Sequence, residues 1–313
     1  MAESVEEDHP LATAREDAAA AVHVPTTPQT RSPSYRLAFT DPDFLLREEL
    51  RPVRLQLELL KPELEFREQR IESTVVVFGS ARIADPEVAA HDLEAIELAA
   101  AAHPDDPELA RQLATARRRM ARANAYAEAR RFAALVTRAG QAHGARRLVI
   151  VTGGGPGVME AANRGAQEAG GVSVGLNIVL PHEQAPNRFV TPELCFQFHY
   201  FALRKTHFLM RAAALVVFPG GFGTLDELFE TLCLIQTGKI RPIPVLLVGR
   251  AYWRRLLDLD FLVEEEMVAA HDLALLTFVD TAEEAWAMIA ERQGFARTAL
   301  DEAAPDPAPS PAP

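Results

Sequence analysis

The chain alternates between short, uninterrupted apolar runs and longer segments in which apolar residues recur at helical spacing. Apolar runs without a polar face are typical of strands buried on both sides of a parallel sheet. Helical segments between such strands imply right-handed crossover connections. The pattern therefore predicts an α/β fold with a parallel sheet flanked by helices. The strands are predicted at residues 74–81, 146–155, 171–180, 195–200, 213–221, 243–249 and 275–280, and the later helices at residues 157–169, 202–212, 224–236, 251–270 and 281–291.

Both ends of the chain depart from this pattern. Residues 1–43 are rich in Ala, acidic residues, Thr and Pro and lack periodicity, so we expect them to be mostly disordered. The Ala/Pro-rich, acidic residues 298–313 are expected to form a disordered, solvated tail. Residues 44–72 repeat apolar positions at helical spacing, interrupted by Pro52 and Pro62, and predict a helical extension of one or two amphipathic helices.

Residues 73–297 are predicted to form one α/β domain with a helical insertion. The insertion covers about residues 86–143, and its long Arg/Ala-rich helix, at about residues 107–142, exceeds an ordinary crossover helix in length. We therefore expect an inserted helical hairpin. The Arg117–Arg119 run is interpreted as a solvated face rather than a nucleic-acid contact, because the adjacent surface is not basic.

Composition narrows the possible partners. The 313-residue chain has a net charge of −12, which argues against broad binding to DNA or RNA. No apolar run is long enough for a transmembrane helix, and the acidic N-terminus lacks the apolar core of a signal peptide. Two cysteines, Cys195 and Cys233, are too few for a disulfide framework. We therefore expect a soluble, cytoplasmic protein without a nucleic-acid or membrane partner.

Three of the predicted strands end in glycine-rich turns. They contain Gly79 with Ser80, then Gly153–Gly157, then Gly220–Gly223. Because ligands of open parallel sheets bind beyond the carboxyl ends of the strands, we expect these turns to meet at one site. Arg82 follows the first turn and either reaches the same site or stays on the surface.

The stretch from Val217 to Glu230 has the features of a phosphate cradle that opens a helix. Its glycines allow a sharp turn that directs successive N–H groups to one point. A threonine at the start of the helix adds a hydroxyl beside the positive end of the helix dipole. Such an arrangement binds a phosphate without a lysine, and the alternative is a tight turn without a ligand. The candidate residues are Pro219, Gly220, Gly221, Gly223 and Thr224.

Two charged residues near this cradle can act on a bound nucleotide. Glu227 lies about one helical turn after Thr224, where an acidic residue can simply complement the helix dipole. Beside a bound phosphate, the same carboxylate can instead face the sugar. Arg204 shares a helical face with His207 and Arg211, and it can hold a phosphate, neutralise developing charge or belong to a salt-bridged surface helix.

The second glycine turn superficially resembles a dinucleotide fingerprint. A dinucleotide site needs an acidic residue at the end of the next strand, and the strand at residues 171–180 ends without one. A mononucleotide or nucleoside site is therefore preferred, with a purely structural turn as the alternative. The candidates in and after this turn are Gly153, Gly154, Gly155, Gly157 and Glu160. Weaker candidates in a later polar loop are His182, Glu183, Asn187 and Arg188.

Other chemistry is not indicated by the sequence. The residues show no spacing typical of a metal site, no Ser-His-Asp or Cys-His set, and no P-loop frame. A pyridoxal enzyme needs a lysine with phosphate and pyridinium partners, and the sequence shows no such constellation. No metal or redox cofactor is therefore expected.

The three turns, an Arg-Lys pair and the motif P-G-G-x-G-T-x-x-E occur in the same order and at similar spacing in the LOG (Lonely Guy) family. The chain resembles these cytokinin riboside 5′-monophosphate phosphoribohydrolases, often labelled lysine decarboxylases, over about residues 73–290. The resemblance implies a Rossmann-like domain, in a homodimer or larger homo-oligomer, that cleaves AMP or a related 5′-monophosphate into a free base and ribose 5-phosphate. It also implies that Arg204 and Glu227 are the catalytic pair, and that Lys205, the glycines and Thr224 bind substrate.

One departure from the family pattern affects the expected substrate. Short plant-like members carry a Met-His pair before the Arg-Lys pair, where this chain has Phe201 and Ala202. The chain looks like a longer bacterial form, so general AMP or nucleotide nucleosidase activity is expected rather than hormone synthesis. The alternatives are a nucleotide-binding sensor without turnover, and a transferase or decarboxylase acting on another small molecule.

Overall fold

A computed structural model describes residues 11–181 and 185–295 of the chain. The chain falls into two compact units, Met1–Leu60 and Lys61–Pro313. Three of the sequence-based candidates lie outside the described residues: His182, Glu183 and the predicted tail at residues 298–313.

The first unit contains short helices and 3-10 turns. Helix α1 (Ala14–Ala20) is capped by the Thr13 hydroxyl, and α2 (Pro42–Leu45) is capped by the Asp41 carboxylate. Helical turns are therefore present within residues 11–43, where the composition predicts little regular structure, because a side-chain cap can define a single turn. The division of the chain into domains stays a prediction.

Helix α3 (Arg51–Glu68) is one continuous helix. Pro52 lies in the first turn of α3. A backbone N–H at that position has no acceptor within the helix, so the lack of an N–H in proline removes no helical hydrogen bond. Pro62 lies inside the helix without ending it. Neither proline therefore divides the helix, and residues 51–68 form a single helix.

The second unit is built on a parallel sheet of seven strands. The strands are β1 (Thr74–Phe78), β2 (Val149–Thr152), β3 (Ser173–Ile178), β4 (Cys195–Phe198), β5 (Ala212–Val217), β6 (Val245–Val248) and β7 (Thr277–Val279). Their order across the sheet is β4-β3-β2-β1-β5-β6-β7. This topology confirms the predicted α/β fold.

Helices cover both faces of the sheet. They are α4 (Pro86–Ala102), α5 (Pro107–Gly140), α6 (Val158–Glu168), α7 (Phe201–Met210), α8 (Phe222–Gln236), α9 (Arg250–Leu256), α10 (Leu259–Glu264) and α11 (Ala282–Gln293). Val75 and Val77 of β1 join a buried cluster with α5, α6 and α11, whereas Val76 and Phe78 join a second cluster with α7 and α8. Both faces of the strand are thus buried, as its unbroken apolar pattern predicts. Among the described helices, none is long and apolar enough to cross a membrane.

Helices α4 and α5 form the predicted helical hairpin. Asp85 caps α4 and Asp106 caps α5, and each carboxylate accepts backbone hydrogen bonds from the first turn. Along its length α5 packs on α6 and α11. The insertion is therefore integrated with the sheet-covering helices.

Two of the differences from the predicted element boundaries have a clear cause in the structure. The single helix expected at residues 251–270 is divided into α9 and α10. Leu257 has an extended backbone, and the Asp258 side chain caps the N-terminus of α10. The strand expected from residue 146 begins only at Val149, because Leu148 has a φ of 52° and cannot continue a strand.

Candidate functional site

The candidate site lies where the chain changes direction across the sheet. From β1 the chain adds β2, β3 and β4 on one side, and then returns to place β5 on the other side of β1. A crevice forms at such a switch point, beyond the carboxyl ends of the strands. The three glycine-rich turns follow β1, β2 and β5, which are neighbours, so the fold brings the turns together.

A cleft of about 1010 Å³ occupies this position. Its size is at the upper end of the range of about 300–1,000 Å³ that is usual for small-molecule sites. The cleft-lining residues that the sequence analysis singled out are Gly79, Ser80, Arg82, Gly153, Gly155, Arg204, Pro219, Gly220, Gly221, Gly223, Thr224 and Glu227.

Two glycines of the second turn, Gly154 and Gly157, shape the turn rather than line the cleft. Both have positive φ, at 75° and 74°. A Cβ on Gly154 would lie 2.4 Å from the Asn177 side-chain oxygen, and one on Gly157 would lie 2.4 Å from the Ser80 carbonyl oxygen. Their placement reflects close packing of the first and second turns against each other and against β3.

The third turn leaves open space at the start of α8. Gly221 is the N-cap of this helix. Apart from the adjacent residues and the backbone of the helix itself, no atom of the described residues lies within 4 Å of where a Cβ would be on Gly221 or Gly223. A Cβ on Gly220, by contrast, would lie 2.1 Å from Thr224 Oγ1. The first N–H groups of any helix lack partners inside it. The turn therefore offers free backbone donors in an uncrowded space beside the Thr224 hydroxyl.

Tyr252 of α9 fixes this turn from outside. Its hydroxyl donates a hydrogen bond of 2.5 Å to the carbonyl oxygen of Gly220. The bond engages an acceptor in the turn, and thereby helps to hold the neighbouring N–H groups in place. Sequence reasoning missed Tyr252, because nothing in its local pattern shows that α9 reaches the turn before α8.

Arg204 and Glu227 meet inside the cleft. The Arg204 Nη1 atom lies 3.9 Å from Glu227 Oε1, and both side chains are mostly buried, with 12% and 14% of their surface exposed. Arg204 Nε donates to the carbonyl oxygen of Leu176 at 2.7 Å, and its guanidinium lies over the Phe208 ring at 5.2 Å. The guanidinium is thus held by β3 and α7 while it faces the carboxylate.

The underside of α7 carries a separate polar cluster. Arg211 forms an ion pair with Glu63, and the buried His207 has its Nδ1 atom 3.7 Å from the same carboxylate. The helical face that the sequence pattern assigned jointly to these residues is therefore divided. Arg204 points to the cleft, whereas His207 and Arg211 anchor the helix that carries it.

Burial raises the pKa of the Glu227 carboxyl from 4.5 to about 7. Loss of hydration is the largest cause, and the positive charge of Arg204 acts in the opposite direction. The carboxyl of Glu227 is therefore shared between its acid and carboxylate forms near neutral pH. Raised carboxyl pKa values in clefts are a common mark of functional sites.

The raised pKa of Glu227 predicts a pH-dependent effect on stability. The folded protein holds the Glu227 proton more tightly than the unfolded chain, so folding stability falls as pH rises from about 4.5 to about 7. A tenfold difference in proton affinity between the folded and unfolded chains corresponds to about 1.4 kcal/mol. Glu227→Gln should therefore raise the free energy of unfolding above pH 7 by at most about 3 kcal/mol. Urea unfolding at pH 5 and pH 8 measures the effect.

Glu230→Gln is the matched control for that measurement, because Glu230 lies on the same helix with 37% of its side chain exposed. The gain should be larger at pH 8 than at pH 5 and confined to Glu227→Gln. An equal gain at both pH values would contradict a buried, proton-binding carboxyl.

Lys205 and Glu160 lie among protein partners rather than along the cleft. Lys205 Nζ forms ion pairs with Asp226 at 2.8 Å and Glu230 at 3.3 Å. Glu160 accepts a hydrogen bond of 3.0 Å from the Tyr126 hydroxyl, on the α5 side of α6. A direct role of Lys205 or Glu160 in substrate binding stays a prediction.

The loop after β3 contributes structural contacts. The Asn187 side chain donates to the carbonyl oxygens of Gly154 and Gly155, both at 3.0 Å, and so supports the second turn. The Arg188 guanidinium lies over the ring of Phe189. Neither residue lines the cleft.

Several cleft-lining residues carry no local motif and were not predicted. Two arginines come from the helical insertion, and most of the remaining side chains are apolar or aromatic. They include Arg119, Arg122, Met159, Phe201, Tyr252 and Leu256.

Within residues 11–181 and 185–295, no group of three or more His, Cys, Asp and Glu side chains could hold a metal ion.

Comparisons with known proteins show what the chain is similar to. Residues 159–289 match the family model described as "Possible lysine decarboxylase". The probable cytokinin riboside 5′-monophosphate phosphoribohydrolase LOGL6 of Oryza sativa subsp. japonica is 30% identical over 145 residues, which cover 45% of this chain and 56% of the relative. The phosphoribohydrolase LOG4 of Arabidopsis thaliana is 29% identical over 144 residues, which cover 44% of this chain and 65% of the relative. The chain thus spans less than two thirds of either relative.

Solved structures show more distant likeness. The molybdenum cofactor carrier protein of Chlamydomonas reinhardtii is 19% identical, with a TM-score of 0.39, over 72% of this chain and 98% of that chain. The molybdenum cofactor binding protein of Rippkaea orientalis is 21% identical, with a TM-score of 0.39, over 54% of this chain and 88% of that chain. Likeness at this level does not bear on function.

The parallel sheet with glycine-rich turns at its switch point defines an α/β protein of the Rossmann-like class. Within that class, the family model and the curated relatives confirm the resemblance to the LOG family that the motifs indicate.

Proposed function

We propose that this protein hydrolyses the N-glycosidic bond of a nucleoside 5′-monophosphate, AMP or a close relative, to release the free base and ribose 5-phosphate. The observation that carries the proposal is a mostly buried carboxylate, Glu227, opposite Arg204 in the cleft that also contains the start of α8. The phosphoribohydrolase activity for which the curated relatives are named supports the same reaction class.

The roles follow from the charges that develop during the reaction. The 5′-phosphate binds at the start of α8, where backbone N–H groups, the helix dipole and the Thr224 hydroxyl supply donors. Departure of the base leaves positive charge on the ribose, as in glycoside hydrolysis. The Glu227 carboxylate, one helical turn beyond the phosphate, stabilises that charge or orients water. Arg204 stabilises the negative charge that develops on the leaving base.

The lining of the cleft favours this reaction over a decarboxylation. A pyridoxal-dependent enzyme needs a lysine at the reacting centre. Among the described residues that line the cleft there is no lysine, and Lys205 is engaged by two carboxylates behind it.

The resemblance to the LOG family also supports a homodimer or larger homo-oligomer. Light scattering measures the oligomeric state.

The test is a substrate panel. Purified protein is incubated with AMP, GMP, CMP, UMP and isopentenyl-AMP, and free base is quantified by chromatography, with adenosine as the control that lacks the phosphate. We expect base release from at least one monophosphate and none from adenosine. Measurable binding without release from any of them would refute the hydrolase and favour a nucleotide-binding sensor.

Thr224→Ala is expected to weaken AMP binding about tenfold, because the phosphate loses a charge-assisted hydrogen bond. Thr224 is 6% exposed and lies in the first turn of α8. Thr224→Ser retains the hydroxyl and should bind AMP nearly as the wild type does. Calorimetric dissociation constants for the three proteins decide the point, and equal affinity of all three would remove Thr224 from the phosphate site.

A further inference from the structure

Helix α5 of the insertion carries arginines along its surface, and several of them contact carboxylates. Arg117 pairs with Glu97 at 3.1 Å, and Arg130 pairs with Glu168 at 2.6 Å. These ion pairs connect α5 to α4 and α6. Arg117 and Arg130 therefore have a structural role that requires no ligand.

Arg119 and Arg122 differ from their neighbours on the same helix. Both are exposed, and both line the cleft. Neither has an ion pair or a side-chain hydrogen bond with any of the residues that the structure describes. Spaced three residues apart, they share one face of the helix, where two like charges repel each other. A bound anion would offset that repulsion.

The surroundings of this pair favour a phosphate. Arg82, which follows β1, lines the same cleft and is also exposed, so three guanidinium groups besides that of Arg204 share one cavity in a chain of net charge −12. Asp226 and Glu227 line the cleft too, but Asp226 is engaged by Lys205, and Glu227 faces Arg204. Guanidinium groups bind phosphate oxygens through charge-assisted, often paired hydrogen bonds.

We propose that Arg119 and Arg122 form a second phosphate subsite, which binds an additional phosphate group of a nucleotide whose 5′-phosphate lies at the start of α8. This inference rests on the proposed function, because it takes the cleft to be a nucleotide site. The ligand class is a nucleotide with two phosphate groups, either contiguous, as in a 5′-diphosphate, or separate, as in a 3′,5′-bisphosphate. Such a nucleotide occupies the cleft more tightly than AMP and competes with it.

The test compares dissociation constants of AMP, ADP and adenosine 3′,5′-bisphosphate by calorimetry. The full chain is used as wild type, as Arg119→Ala/Arg122→Ala, and as the charge-matched control Arg117→Ala/Arg118→Ala on the same helix. We expect the wild type and the control to bind ADP or the bisphosphate roughly tenfold more tightly than AMP. The Arg119→Ala/Arg122→Ala protein should lose that preference and keep its affinity for AMP. Which two-phosphate nucleotide is preferred shows where the second phosphate lies.

Two results would overturn the subsite. One is equal affinity of the wild type for all three nucleotides. The other is a loss of AMP affinity in Arg119→Ala/Arg122→Ala as large as the loss for ADP, because the arginines would then hold the only phosphate. Because alanine favours helix, both double variants are expected to fold, and circular dichroism checks that they do.

Base release from AMP, measured on the same samples, separates this inference from the proposed function. Release without a two-phosphate preference refutes the subsite alone. An arginine-dependent preference without release from any monophosphate refutes the hydrolase and leaves the subsite standing.

Discussion

Replacing Glu227 with Gln is expected to lower the rate of base release from the preferred monophosphate by about a thousandfold. Gln retains the shape of the side chain but cannot carry the negative charge that stabilises a positively charged ribose. Because the phosphate is held by the start of α8, the dissociation constant of the nucleotide should stay within about threefold of the wild-type value. Single-turnover assays and calorimetry on the same preparation measure the two quantities.

Glu230→Gln serves as the control, because it removes a carboxylate from the same helix outside the cleft. Base release by that variant should resemble the wild type. If Glu227→Gln retains turnover, the carboxylate has no chemical role. If it loses nucleotide binding instead, Glu227 belongs to the binding site.

Arg204→Lys is expected to lower base release by about a hundredfold, although the positive charge is kept. The guanidinium donates to the Leu176 carbonyl oxygen through Nε while Nη1 faces Glu227, and a single ammonium group cannot satisfy both positions. Steady-state kinetics of base release measure the loss, which should fall mainly on kcat because the group acts on the departing base.

Arg250→Lys tests whether any such replacement is harmful. Arg250 pairs with Asp280 at 3.0 Å on the surface, with 42% of its side chain exposed, and does not line the cleft. Its replacement should leave kcat near the wild-type value. Activity of Arg204→Lys within about threefold of wild type would show that only charge is needed at that position.

Much of the fold could be predicted because its signals are local. The buried strands are unbroken apolar runs, and the turns after β1, β2 and β5 are marked by glycine. The helical hairpin was also predictable, since its length and composition do not suit a crossover helix. The division of residues 251–270 into α9 and α10 was missed, because extended Leu257 and the Asp258 cap act against an otherwise helical composition.

The candidate site was predictable only in part, for a different reason. Glu227 and the cradle before it are close in sequence, so a single motif points to both. Tyr252, Arg119 and Arg122 reach the cleft from α9 and from the insertion, and nothing near them in sequence indicates that destination. Lys205 is adjacent to Arg204 in sequence but does not line the cleft, because neighbouring residues on a helix point in different directions.

By itself the sequence determined the α/β class, the three glycine turns and the motif that joins Thr224 to Glu227, because each depends on residues within one strand or one helical turn. Only the tertiary structure decided that β5 lies beside β1, that Arg204 meets Glu227 at 3.9 Å, and that α5 brings Arg119 and Arg122 to the same cleft. Those contacts depend on how distant strands pair and how helices pack on them, and the free energy of that packing is spread over the whole core rather than encoded beside any one residue.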